Sequence, residues 1–355
     1  MNQTKQNLGI LPQAIDAVGE MAGLEMQVTA MDNQVGEHDF DAFVQLVHNK
    51  QVFTVEIRKW LAQANLGALI YRMKMLPRPA LLVADYVNPR LADKLRKQDV
   101  QFIDTCGNAY INQTPVYIYV TGNRPVKNHQ KFLPTKGGTN RAFEPKGLIV
   151  VFAFLCRPIL VNAPYREIAE QTGVALGTIG WVINGLKAGG YIQEYDDTGE
   201  RRLVNYRKLL DRWVETYPEK LRPRQTLGVF LADAPDWWKD IDIKKYAACW
   251  GGEVAAAAYT DYLVPAETTI YTHKTLPADL LATARLRKAS EWTNNKHLVH
   301  IYQAFWPETF NNTEMTELAH PILVYADLLA TGDPRNIEVA KIIYEKNIAQ
   351  YCRED

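Results

Sequence analysis

Apolar and polar residues alternate along this chain with distinct periods, and each run predicts an element. Residues 11–21 (LPQAIDAVGEM) place apolar side chains at helical spacing. Two runs of period two come next, 39–47 (DFDAFVQLV) and 51–60 (QVFTVEIRKW), and read as the strands of a hairpin turned at residues 48–51. With Asn49 and Lys50 at its tip, Phe43 faces Glu56 and Asp41 faces Arg58. Thr54, Glu56 and Arg58 then share a surface with Asp41, while Phe53, Val55 and Ile57 point the other way. Further on, the pattern predicts a helix over 61–75, a strand over 80–86 and a helix over 89–97. Strands over 100–104, 109–111 and 116–120 complete an α/β unit on a mixed sheet.

The middle of the chain is patterned differently. Residues 121–141 are polar, basic and broken by Pro and Gly, so they read as a linker or as a loop lying along phosphates. A strongly apolar helix runs from 146 towards Pro158. Two amphipathic helices come after it, 165–172 and 175–187, joined at Gly173, where a sharp turn suits a residue tolerant of positive φ. The second has Ile179, Val182, Ile183 and Leu186 at inward spacing and leaves small or polar residues outward. Strands over 191–195 and 201–204 flank a turn at 196–199, and an amphipathic helix spans 206–217. This order of helix, helix-turn-helix and β-hairpin resembles a winged-helix DNA-binding domain. The candidate DNA contacts are Thr178, Trp181, Asn184 and Lys187 on the second helix, with Arg201 and Arg202 at the wing tip. Trp181 reads equally as a core residue.

In the last third, strands are expected at 226–230, 268–272 and 298–303. A small-residue helix is expected over 246–259, where Gly251 and Gly252 allow close packing. Two helices close the chain, 320–330 and 336–351, with Asp333-Pro334 as a helix start.

A chain of 355 residues with 47% apolar content supports two or three domains. No apolar run reaches the ~18 residues of a membrane helix, and the first residues do not resemble a secretory signal. Cys106, Cys156, Cys249 and Cys352 lie far apart, which fits reduced thiols in a cytoplasm and argues against a zinc knuckle. Charge sharpens the domain picture. Residues 123–225 hold 17 Lys and Arg against 10 Asp and Glu, a net +7, whereas residues 226–355 hold 12 against 18, a net −6. A basic middle attracts phosphate, or is simply a solvated surface. The expected organisation is a restriction-endonuclease-like α/β domain over 1–122, a basic linker and winged helix-turn-helix over 123–225, and a partner-binding α/β domain over 226–355.

Asp41 on one strand and the Glu56-Ile57-Arg58 triplet on the next resemble the PD-(D/E)xK nuclease core. In that fold the carboxylates hold Mg²⁺ and a Lys supports the attacking water. That resemblance makes Asp41, Glu56 and Arg58 the candidate catalytic set and Asp41 and Glu56 the metal ligands. Arg58 stands where the Lys is expected, and an Arg is always charged. A cross-strand ion pair with Asp41 explains it as well. The preferred reading is therefore a nuclease-like scaffold that needs no cofactor. Asp85 and Asp104 read as cap or loop residues.

Across nearly the whole chain, the stretches VEIRKWL, LLVADYVNP, FIDTCGNAYI, WGGEVAAAAYTDYL and HPILVYADLLATGDPRNIEVAKIIY, together with the winged helix, resemble one bacterial family. It is the AbiEi-type antitoxin and transcriptional regulator family of type IV toxin–antitoxin systems, in the branch with a nuclease-like N-terminal domain. The resemblance implies an autorepressor that binds double-stranded DNA and is encoded beside a nucleotidyltransferase toxin. A homodimer would suit a repeated operator.

Overall fold

The computed structural model describes residues 9–35, 38–58, 61, 65–77, 79–125, 139–195, 199–289, 297–310 and 315–352. The chain forms two compact units, Met1–Thr135 and Lys136–Asp355. Most of the expected linker, 126–138, and residues 196–198 of the expected wing turn lie outside the described residues.

The first unit opens with α1 (Ile10–Ala22), which buries Ile10, Leu11, Ala14 and Val18 and ends at Gly23 in the left-handed region. Three antiparallel strands come next, β1 (Met26–Val35), β2 (His38–Leu46) and β3 (Val52–Arg58). After them are α2 (Leu66–Met75), β4 (Ala80–Ala84), α3 (Pro89–Lys97) and β5 (Gln101–Asp104), with β6 (Ala109–Gln113) and β7 (Val116–Val120) at the far edge. The seven strands lie in chain order. The pairs β3–β4 and β4–β5 are parallel and the others antiparallel. One core sits between α1 and the sheet, where Val44, Phe53, Val55, Ile57, Leu81 and Val83 are buried together.

Strand β1 is an addition to the sequence pattern. The hairpin register also differs from expectation: Phe43 pairs with Thr54 and Gln45 with Val52, two residues away from the expected pairing. The cause lies in the turn. Lys50 takes φ 57° and donates its N–H to the Leu46 carbonyl, while Leu46 bonds back to the Gln51 carbonyl. The loop thus centres on His48 and Asn49. A shift of two preserves sidedness, because side chains alternate with period two. Phe53, Val55 and Ile57 still enter the core, and Glu56 still lies on the opposite face of the sheet, where it too is buried.

The second unit begins with α4 (Thr139–Ala142), α5 (Pro145–Cys156) and a 3₁₀ turn, Pro158–Asn162. Helices α6 (Tyr165–Thr172) and α7 (Leu176–Ala188) are joined through Gly173, whose φ of 65° fits the expectation for that turn. A two-stranded hairpin, β8 (Ile192–Glu194) with β9 (Arg201–Leu203), leads to α8 (Tyr206–Lys220) and α9 (Arg222–Gln225). Beyond it lies a mixed five-stranded sheet. It is built from β10 (Thr226–Leu231), β11 (Ala248–Gly251), β12 (Thr268–Thr272), β13 (Arg287–Lys288) and β14 (Leu298–Gln303), in spatial order β11-β12-β14-β10-β13. Helices α10 (Gly252–Thr260) and α11 (Ala278–Thr283) interrupt it, and α12 (Pro321–Thr331), α13 (Pro334–Ile343) and α14 (Ala349–Cys352) close the unit.

The expected helix over 246–259 is instead strand β11 running straight into α10. Its glycines do allow close packing: a Cβ on Gly251 would lie 2.5 Å from the Tyr271 ring, and one on Gly252 would lie 2.6 Å from Thr269 Oγ1. Residues on both sides of position 225 share one core. Phe152 stacks on Trp213, with ring centroids 5.2 Å apart, and meets Phe305 edge-on and Trp306 at a tilt. Behind them, Asp327 is buried at the N-terminus of α10 and accepts from the Gly252 N–H. It also accepts from Tyr271 Oη at 2.7 Å and Tyr217 Oη at 3.4 Å, with Arg222 3.6 Å away. Burial raises its pKa, while these partners favour the charged form.

Candidate nucleic-acid interface

Helix α7 is amphipathic by placement. Ile179, Val182, Ile183 and Leu186 are fully buried, which fixes the opposite surface outward. That surface begins with Leu176, 46% exposed, and contains Trp181, 57% exposed, and the exposed Asn184. Trp181 is therefore a surface residue. The guanidinium of exposed Arg141, from α4, lies over its ring at 4.5 Å from the centroid. Thr178 is half-buried at the first turn. Gly177 and Gly180 leave the face smooth: among the described residues, a Cβ on Gly177 would meet nothing within 4 Å, and one on Gly180 only the Tyr165 ring at 3.7 Å.

The expected cations divide into three cases. Lys187 is ion-paired with Glu194 of β8. Arg202, on an exposed side chain, pairs with Glu200 at 2.9 Å and lies over the Tyr195 ring. Both are surface pairs, which are weak and can be exchanged for phosphate. Arg201 is a correction. It is 8% exposed, its Nη2 donates to the carbonyls of Ala163 at 2.6 Å and Asn162 at 3.3 Å, and its guanidinium stacks on Tyr165. A buried guanidinium committed to carbonyls ties the hairpin to the 3₁₀ turn and is not offered to phosphate. Arg141, Leu176 and Gly180 share this surface but lie outside the set expected from the sequence, whereas Gly177 is one of the small outward residues. Only the glycines left a signal, as weak helix formers on an outward face.

In the first unit, the expected catalytic set is drawn together, with Asp41 two residues out of the expected register: its Oδ2 accepts from the Ile57 N–H at 2.7 Å, and Arg58 is near enough to favour its charged form. Glu56, 1% exposed, accepts through Oε1 from Arg58 Nη2 at 2.5 Å and from Arg72 Nε at 2.8 Å. Arg72, on α2, lies outside the predicted set. Burial and the neighbouring Glu56 raise the Asp41 carboxyl to about 6. Glu56 Oε1 thus serves two guanidiniums, while its Oε2 is buried with no hydrogen-bond partner among the described residues. Among the described residues, no group of three or more His, Cys, Asp or Glu is placed to hold a metal. Asp104, at the end of β5, caps the turn beyond it, in keeping with expectation. It is buried and accepts from the N–H groups of Val87, Cys106 and Asn108 and from Asn108 Nδ2.

With this geometry in view, the second unit is similar to a class of transcriptional regulators from toxin–antitoxin systems. Residues 202–349 match the family described as the transcriptional regulator AbiEi, antitoxin of type IV toxin–antitoxin systems. The match runs from within β9 through α8, the five-stranded sheet and the closing helices, and does not extend to the first unit. No curated protein and no solved structure matches the chain. No helix among the described residues is long and apolar enough to cross a membrane.

Proposed function

We propose that this chain is a DNA-binding transcriptional regulator, the antitoxin and autorepressor of a type IV toxin–antitoxin operon. In this reading, residues 139–225 act as a winged helix on duplex DNA, with α7 in the major groove and the β8–β9 hairpin as the wing. The observation that carries it is the outward face of α7. Trp181, Asn184 and a stacked Arg141 stand clear of the core, next to a segment that matches a family of regulators. A nucleotidyltransferase toxin encoded nearby, and a second copy of the chain on a repeated operator, are the partners this role calls for.

The first unit is proposed as a nuclease-like scaffold without cleavage activity. Its order of one helix, three antiparallel strands, a helix and a parallel strand supports that reading. In this reading the pairs of Glu56 Oε1 with Arg58 and Arg72 hold the scaffold together.

Footprinting on the DNA upstream of the chain's own coding sequence tests the regulator role. A protected site is expected at low salt, with affinity falling steeply as salt rises. Absence of protection at low salt would refute it.

A further inference from the structure

The outward surface of α7 is unusual for a helix that reads bases. Along its length the only ionisable side chain is Lys187, and that is paired with Glu194. Arg201 is buried and Arg202 is held by Glu200. What the helix offers instead is apolar area, Leu176 and Trp181, on a surface flattened by Gly177 and Gly180. Glycine in a helix is destabilising by about 0.5–1 kcal/mol relative to alanine. Nothing among the described residues requires it at Gly177, where a Cβ would meet none of them within 4 Å. Such a position suits close approach by an external surface.

In the major groove, the one apolar feature of a base edge is the C5-methyl of thymine. Resting on the DNA-binding reading, we propose that α7 recognises thymine methyl groups by apolar contact through Trp181 and Leu176, and that Arg141 holds the Trp181 ring in place while facing the phosphates. The net +7 of residues 123–225 supplies the complementarity to a polyanion that the neutral helix lacks. Sequence preference and backbone attraction thereby reside in different residues.

The test uses the full chain and duplexes that it selects from a random pool, each prepared with thymine or with uracil, which lacks the methyl. Burial of one methyl corresponds to about a fourfold change in affinity. Uracil duplexes are expected to bind about fourfold more weakly per contacted methyl, with the same dependence on salt. Trp181→Ala, at an exposed site, is expected to keep the fold and to bind thymine and uracil duplexes nearly equally. Arg141→Ala is expected to reduce the salt slope by about one counterion. Equal affinity of the unmodified chain for both duplexes would overturn methyl recognition and leave DNA binding standing. Undiminished discrimination by Trp181→Ala would overturn the assignment to that residue. If no duplex is selected even at low salt, the DNA-binding reading fails, and this inference with it.

Discussion

At the scale of single residues, the environment decided roles that residue type left open. Arg201 and Arg202 are adjacent and chemically alike, yet one is buried against two carbonyls and the other lies on the surface. Their strand alternation puts them on opposite faces, but which face is buried depends on Asn162 and Ala163, distant in sequence. Asp41 shows the same dependence. Its carboxyl is raised from 3.8 to about 6 by burial and by Glu56, so the folded chain binds this proton more tightly than the unfolded one. The stability it contributes is present below pH 3.8 and is lost as pH rises through about 6. Asp41→Asn keeps an acceptor for the Ile57 N–H. It is expected to stabilise the first unit at a pH of about 7.5 by on the order of 2 kcal/mol and to flatten its stability between about pH 4 and 6. Urea unfolding across that range is the measurement. An unchanged pH slope would mean that Asp41 is ionised in the fold.

At the scale of elements, periodicity was the reliable guide and registry was not. The helices around Gly173 and the inward face of α7 were legible, since burying one stripe leaves a period of three and four. The faces of β2 and β3 were legible for the equivalent reason, and survived a register error of two residues. The register itself turned on the positive φ of Lys50, which no alternation pattern encodes. Strand β11 was hidden because AACWGG is made largely of small residues compatible with either element. Pairing with β12 and the close approach of Gly251 to the Tyr271 ring select the strand. The smooth face of α7 yields a prediction at this scale. Gly177→Ala is expected to raise stability by about 0.5–1 kcal/mol while weakening DNA binding on the order of tenfold, as for one overpacked contact. Thermal unfolding and a binding titration on the same variant check the opposite signs. Tighter or unchanged binding would show that α7 does not approach DNA closely.

At the scale of the whole molecule, charge divided the chain more finely than packing does. The shift from +7 to −6 near residue 225 suggested a boundary, but Phe152, Trp213, Tyr217 and Tyr271 join the two sides in one unit. A charge count sees surface composition, whereas cohesion is set by buried aromatics distant in sequence. A fragment of residues 139–225 is therefore expected to lose cooperative unfolding and near-ultraviolet dichroism, and 139–355 to retain both. A sharp thermal transition in the shorter fragment would contradict this. Asp327 carries a further implication. It is bonded to Tyr217 of α8 and Tyr271 of β12 and faces Arg222 of α9, so α8 belongs mechanically to the sheet and the closing helices. The family match likewise begins at 202, ahead of that helix. A chimera joined at residue 225 would strip the buried Asp327 of Tyr217 and Arg222 and leave it only Tyr271 and the Gly252 N–H, whereas a junction before α8 would keep all four.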